Sequence, residues 1–228
     1  MKALNALISL LPLSIPVVEA NGGGPVLPLL ERARTAVVIT DPQNDFLSED
    51  GKLYGLLADS LRNLGVADHL EQLMRAAKSS GFVLAVDPLV FGSGDGAWSH
   101  PGILQRQLLD MGALQGWGAE FHGRYLPYIN DAATVVVAPH KLYGPESNDL
   151  IFQLRSRGID TVLLAGLVAN LCVDSHLRAL KENGFRVYVV KDAVAAPGEE
   201  AYRAALLNFG MIANGVLTTG EALAAMAH

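Results

Sequence analysis

Cys172 is the only cysteine among 228 residues, and its neighbours place it between a strand and a helix. The apolar run Thr161-Val162-Leu163-Leu164-Ala165 has the pattern of a strand buried on both faces. Gly166 breaks the run, and after Cys172 the residues Val173, Leu177 and Leu180 recur at helical spacing. A thiol where a helix begins faces unpaired N–H groups and the positive end of the helix dipole, and both favour the reactive thiolate. The plainer alternative is a small buried apolar side chain. Two more reactive residues occupy comparable places. Asp41 closes the β-branched run Thr35–Thr40, and Lys141 stands just past the run Thr134–Ala138. Singly they mean little: Asp before Pro is a common turn residue, and Lys after a strand is a common surface charge.

The order of elements brings the three together. Apolar runs at Thr35–Thr40, Phe82–Val86, Thr134–Ala138, Thr161–Ala165, Arg186–Val190 and near Val216-Leu217 alternate with helical stretches. Those stretches pass through Leu70, Leu73 and Ala76, then span about Asn148 to Arg157, the Cys172 helix, Tyr202 to Phe209, and a last helix from Thr219. The alternation predicts an α/β fold in three layers, a parallel sheet with helices on both faces and right-handed crossovers. Every strand then ends at one edge, where ligands bind. Pro42 predicts extended geometry at Asp41. The stretch Phe91–Gly123, with Trp98, Trp117, His100 and His122, reads either as a cover over the site or as a surface excursion pinned by its aromatics.

At that edge the three residue types suit one reaction. A thiol needs a base at neutral pH, and a buried carboxylate can serve. An ammonium holds both negative groups in place, and N–H groups at the start of the Cys172 helix can stabilise the oxyanion formed on a carbonyl. The cycle is a thioester acyl-enzyme that water hydrolyses, with Asp41 carrying the proton.

The stretches TAVVITDPQNDF, VVVAPHKLYG, TVLLAGLVANLCVDSHLRAL and RVYVVKDAVAA resemble the isochorismatase-like cysteine hydrolases, a superfamily that includes nicotinamidases and N-carbamoylsarcosine amidases. The resemblance covers about Thr35 to Ala222. It implies a six-stranded parallel sheet and an Asp–Lys–Cys triad carried onto Asp41, Lys141 and Cys172. It also implies a cis peptide at Leu167–Val168, with the N–H groups of Val168 and Cys172 as the oxyanion hole, and a homo-oligomer. Phe46 resembles the family's pocket aromatic, with a core phenylalanine as the alternative. Tyr143, Leu167 and Asn170, beside catalytic positions, are the other substrate-binding candidates.

Nicotinamidases carry an Asp-x-His motif that binds a metal. Here Asp87-Pro88-Leu89-Val90-Phe91 has no histidine, so Asp87 stands alone and the expectation is no metal and no cofactor. That argues against nicotinamide as the substrate. His140 is expected to point away from the Lys141 side, since neighbours on an extended segment face opposite ways. His176, one helical turn past Cys172, could pair with it but ranks below Asp41. Asp192 is expected to end its strand and brace the site edge.

Composition narrows the classes. Half the residues are hydrophobic, 18% are charged and the net charge is −6, which describes a packed domain and argues against a nucleic-acid partner. A single cysteine excludes an internal disulfide and a multi-cysteine zinc site. No long unbroken apolar run predicts a membrane span. Residues 1–26 read as an extension and residues 27–228 as one hydrolase domain. Lys2, the apolar stretch to Val18 and Val18-Glu19-Ala20 resemble a short signal peptide, although Pro12 and Pro16 interrupt it. The expected location is therefore cytoplasmic, or exported if that segment is cleaved. The leading function is metal-independent hydrolysis of a C–N bond in a small amide or ureide. The alternatives are an isochorismatase-type ether hydrolase that does not need the thiol, a non-catalytic binding member of the fold, and a nucleotide-binding protein. The last is opposed by the acidic Asp41–Asp45 loop where a glycine-rich one belongs.

Overall fold

The computed structural model describes residues 27–92 and 98–227; the N-terminal extension and its signal-like reading lie outside them. In chain order the elements are β1 (Thr35–Thr40), α1 (Asn44–Leu47), α2 (Tyr54–Leu64), α3 (Val66–Ser80), β2 (Val83–Asp87), α4 (Ile103–Asp110), α5 (Leu126–Ile129) and β3 (Val135–Val136). They continue with α6 (Leu150–Ser156), β4 (Thr161–Leu167), α7 (Asp174–Glu182), β5 (Arg186–Ala195), α8 (Glu199–Ile212), β6 (Gly215–Leu217) and α9 (Thr219–Met226). The strands form one six-stranded sheet in the order β3-β2-β1-β4-β5-β6, with every neighbouring pair parallel. The predicted three-layer α/β architecture is therefore the observed one.

Alternation along each strand builds two cores. On β1, Val37 and Ile39 join Leu163, Ala165 and Leu167 of β4 beneath α2, α3 and α9. Ala36 and Val38 join Val162 and Leu164 beneath α6, α7 and α8. All seven residues of β4 are buried, and each large aliphatic among them contributes about 1.5–3 kcal/mol by leaving water. β1 and β4 are thus the rigid centre, and the chain reverses its direction of travel across the sheet between them.

Several boundaries differ from the sequence reading. The stretch before β2 holds two long helices, because Gly65 takes a left-handed φ of 64° and caps α2 before α3 begins. β3 is only Val135–Val136, an edge strand followed closely by Pro139. β5 runs on to Ala195, so Asp192 lies within it; its carboxylate accepts from the N–H and hydroxyl of Thr219 and fixes the start of α9. Gly166 does not end β4, which continues to Leu167.

Gly166 has a φ of 120°, and a Cβ there would lie 2.2 Å from the Thr40 carbonyl oxygen. The residue lets β4 press against the end of β1, where the Thr40 hydroxyl donates to the Leu167 carbonyl at 3.0 Å. Gly166→Ala is expected to cost more than about 3 kcal/mol, from backbone strain and overlap together. Urea denaturation would register it as a lowered midpoint with an unchanged slope.

Candidate active site

Asp41 follows β1 with a φ of 54° and is fully buried. The extended geometry expected from Pro42 is thus corrected to the left-handed region, which Asp tolerates better than most residues. The Asp41 N–H donates to the Asp87 carbonyl at 2.9 Å, and this ties the ends of β1 and β2 together. After β4 the Leu167–Val168 peptide is cis. A π-helical turn, Ala169–Val173, then carries Cys172 into α7. Such turns gather at functional sites. The Cys172 thiol is buried and donates to the Leu142 carbonyl at 3.1 Å.

The residue that meets Asp41 is His140. Its Nε2 lies 2.9 Å from Asp41 Oδ1, and both side chains are wholly buried. One ligand-type atom from each of Asp41, His140 and Cys172 lies within 4.8 Å of the others. Lys141, next to it in the chain, is half-buried. The expectation that His140 points away is corrected. His140 N–H donates to the Pro88 carbonyl and the residue bridges in parallel to Leu89; that register turns His140 inward.

Behind this cluster stands a second pair. His176 Nε2 lies 2.8 Å from Asp87 Oδ2, and its Nδ1 lies 2.7 Å from the Cys172 carbonyl. Both ring nitrogens thus face oxygen atoms. Asp87 Oδ1 accepts from the Asn148 amide at 2.7 Å. The His140 and His176 rings meet edge to face with centroids 5.0 Å apart. Asp87, read from sequence as a solitary ligand, thus sits with His140 and His176, one ligand-type atom of each within 4.8 Å of the others. Both oxygens of Asp87 and both nitrogens of His176 are already engaged. The set therefore fits a hydrogen-bonded charge network better than a metal centre. His100 and His122 belong to neither group.

Electrostatics assign the protons. Burial pushes the Cys172 thiol well up, and the charge of Asp41 adds to this, while the Val168 N–H directed at the sulfur pulls the other way. Burial thus works against the thiolate expected at the helix start. Burial alone would lower His140, but the Asp41 carboxylate beside it, with Asp87 and Glu146 further off, outweighs that and leaves it raised. Asp41 Oδ2 and His140 Nδ1 are buried without a hydrogen-bond partner. A carboxylate oxygen with a spare lone pair near a protonated sulfur is placed to take its proton.

A cavity of about 100 Å3 ends at Cys172, and Phe46 and Val168 are in its wall. Of the other substrate candidates, Leu167 is buried in the sheet core, Tyr143 is exposed, and neither lines the cavity. Asn170 is half-buried and does not line it either; its side-chain oxygen is buried without a partner.

The sequence reading passed over Gln43, Asn44 and Asp45, which are positioning residues. Gln43 exchanges hydrogen bonds with the Leu89 backbone and donates to Ala119. Asn44 donates to Trp117, and Asp45 accepts from the N–H groups of Lys52 and Leu114. Together they fasten the 91–123 excursion to the end of β1. Three buried polar residues in a row after a strand were the available signal.

A doubly wound sheet here gathers a thiol, a carboxylate and an imidazole at one edge, the groups that nucleophilic catalysis by sulfur requires. The chain belongs to the isochorismatase family, whose isochorismatase domain model matches residues 35–221. It is 27% identical over 214 residues to the ureidoacrylate amidohydrolase RutB of Methylobacterium radiotolerans, covering 83% of this chain and 81% of the relative. Among solved structures it resembles a cysteine hydrolase from Pseudomonas syringae pv. phaseolicola, with a TM-score of 0.74, 22% identity and coverage of 89% of this chain and 97% of that one. It also resembles the N-carbamoylsarcosine amidase of Thermoplasma acidophilum, with a TM-score of 0.63, 22% identity and coverage of 82% and 96%. Among the described residues no helix is long and apolar enough to cross a membrane.

Proposed function

We propose that this protein is a cysteine hydrolase that cleaves the C–N bond of a small amide-type substrate through a thioester on Cys172. The observation that carries the reading is the buried cluster of Asp41, His140 and Cys172 behind a cavity that ends at the sulfur. The relatives named amidohydrolase and amidase support the bond type.

In the proposed cycle Asp41 takes the thiol proton as sulfur attacks the carbonyl carbon. Negative charge moves to the carbonyl oxygen, which the N–H groups of Val168 and Cys172 receive. Asp41 then gives its proton to the departing nitrogen, the C–N bond breaks and a thioester remains. Water attacks the thioester, giving a proton to Asp41; the C–S bond then breaks, the carboxylic acid leaves, and Asp41 returns that proton to the sulfur. His140, as the cation against Asp41, holds the carboxylate in place and offsets the negative charge on sulfur and oxygen.

The test is intact mass after a rapid acid quench during turnover of an activated acyl ester. Wild type is expected to gain one acyl group, located on Cys172, and Cys172→Ala none. Full turnover by Cys172→Ala, with no adduct in wild type, would sink the thioester route and favour hydrolysis without a thiol nucleophile.

A further inference from the structure

The wall of the cavity at Cys172 is unusual for a site that handles polar molecules. Nine leucines, Phe46, Val168 and Pro197 make it, and among the described residues that line it Cys172 alone has a side chain able to donate or accept a hydrogen bond. Asp41 and His140 are wholly buried behind the sulfur and do not reach the wall. The leucines come from separate elements: Leu57 from α2, Leu108 from α4, Leu142 from the loop after β3. The apolar character is thus built by the 91–123 excursion as well as by the sheet's own loops.

Resting on the cysteine-hydrolase reading, we propose that the acyl group carried on Cys172 is short, uncharged and aliphatic. A carboxylate placed against these walls would lose its water and meet no cation among the described residues that line them, and burial of an unpaired charge is strongly opposed. Size sets the other bound. An apolar cavity of about 150 Å3 accepts benzene. The 100 Å3 here is smaller, and takes a chain of about four or five carbons by the same comparison. Each methylene buried is worth about fourfold in kcat/KM until the cavity is full.

The experiment compares 4-nitrophenyl esters of an alkanoic series with two matched acyl groups, 4-methylpentanoyl and succinyl. The last two have nearly the same shape, but one ends in an isopropyl group and the other in a carboxylate. In each case thiolate sulfur attacks the ester carbonyl, the thiol proton passes to Asp41, 4-nitrophenolate leaves and a thioester forms. Nitrophenolate release and the intact mass of quenched enzyme are read together. The expected result is acylation of Cys172 that speeds up from acetyl to about pentanoyl, with 4-methylpentanoyl about a hundredfold or more faster than succinyl. Succinyl transfer as fast as 4-methylpentanoyl, or a flat alkanoic series, with the adduct still on Cys172, would overturn the apolar pocket and leave the catalytic reading intact. The absence of any adduct with every ester would overturn both.

Discussion

Asp41→Asn is expected to lower kcat/KM by about a thousandfold to ten-thousandfold, the range of a lost general base. The substitution suits the site. Asparagine tolerates the left-handed backbone of residue 41, where φ is 54°, as well as aspartate does, and its amide oxygen can still accept from His140. The fold should therefore persist. The second readout moves the other way. The charge of Asp41 helps hold the Cys172 thiol above its ordinary range, so removing it lowers that pKa. Alkylation of Cys172 by iodoacetamide near pH 8 should then be as fast as in wild type or faster, while turnover collapses. Slower alkylation alongside the lost turnover would mean that Asp41 activates the resting thiol, and the mechanism would begin from a thiolate.

What the sequence revealed, and where it stopped, follows from range. The strands of the sheet centre could be read because both faces of β1 and β4 are buried, and continuous apolar runs of that length have few other homes. Asp41 and Cys172 could be placed because each directly follows such a strand. The inward turn of His140 could not. Alternation along an extended segment says that one of two neighbours faces in, and a slip of one residue exchanges them. The register is set by a contact with Leu89 that is 51 positions away, in the loop after β2. Local sequence carries no record of it. The second pair failed for the same reason: His176 looked like a lesser partner for Cys172 because Asp87, its actual partner, lies 89 residues earlier in the chain. Thr134–Ala138 looked like a full strand because its composition is right, yet an edge position and Pro139 leave only two residues paired.

Putting lysine where histidine stands is the sharper test of the charge arrangement. His140 is raised because, despite burial, the Asp41 carboxylate favours its protonated form. A group raised on folding contributes stability that is fully present below its unfolded value, about 6.5, and lost as pH rises through the folded value. Catalysis should follow the same sign. The imidazolium offsets charge on sulfur and oxygen only while it keeps its proton, so kcat/KM should fall on the alkaline side as His140 deprotonates. His140→Lys supplies a cation whose ordinary pKa is about 10.4. It should retain measurable activity and move the falling limb to higher pH. His140→Gln supplies no charge; it should lose about a hundredfold to a thousandfold in kcat/KM and show no alkaline limb from this position. Full pH profiles of kcat/KM for the three proteins decide it. If the lysine variant keeps the wild-type limb, the titrating group is another residue and His140 serves only to hold Asp41 in place. If the glutamine variant matches wild type at every pH, the cation has no part in the reaction, and the negative charge that develops on sulfur and oxygen must be held by backbone N–H groups alone.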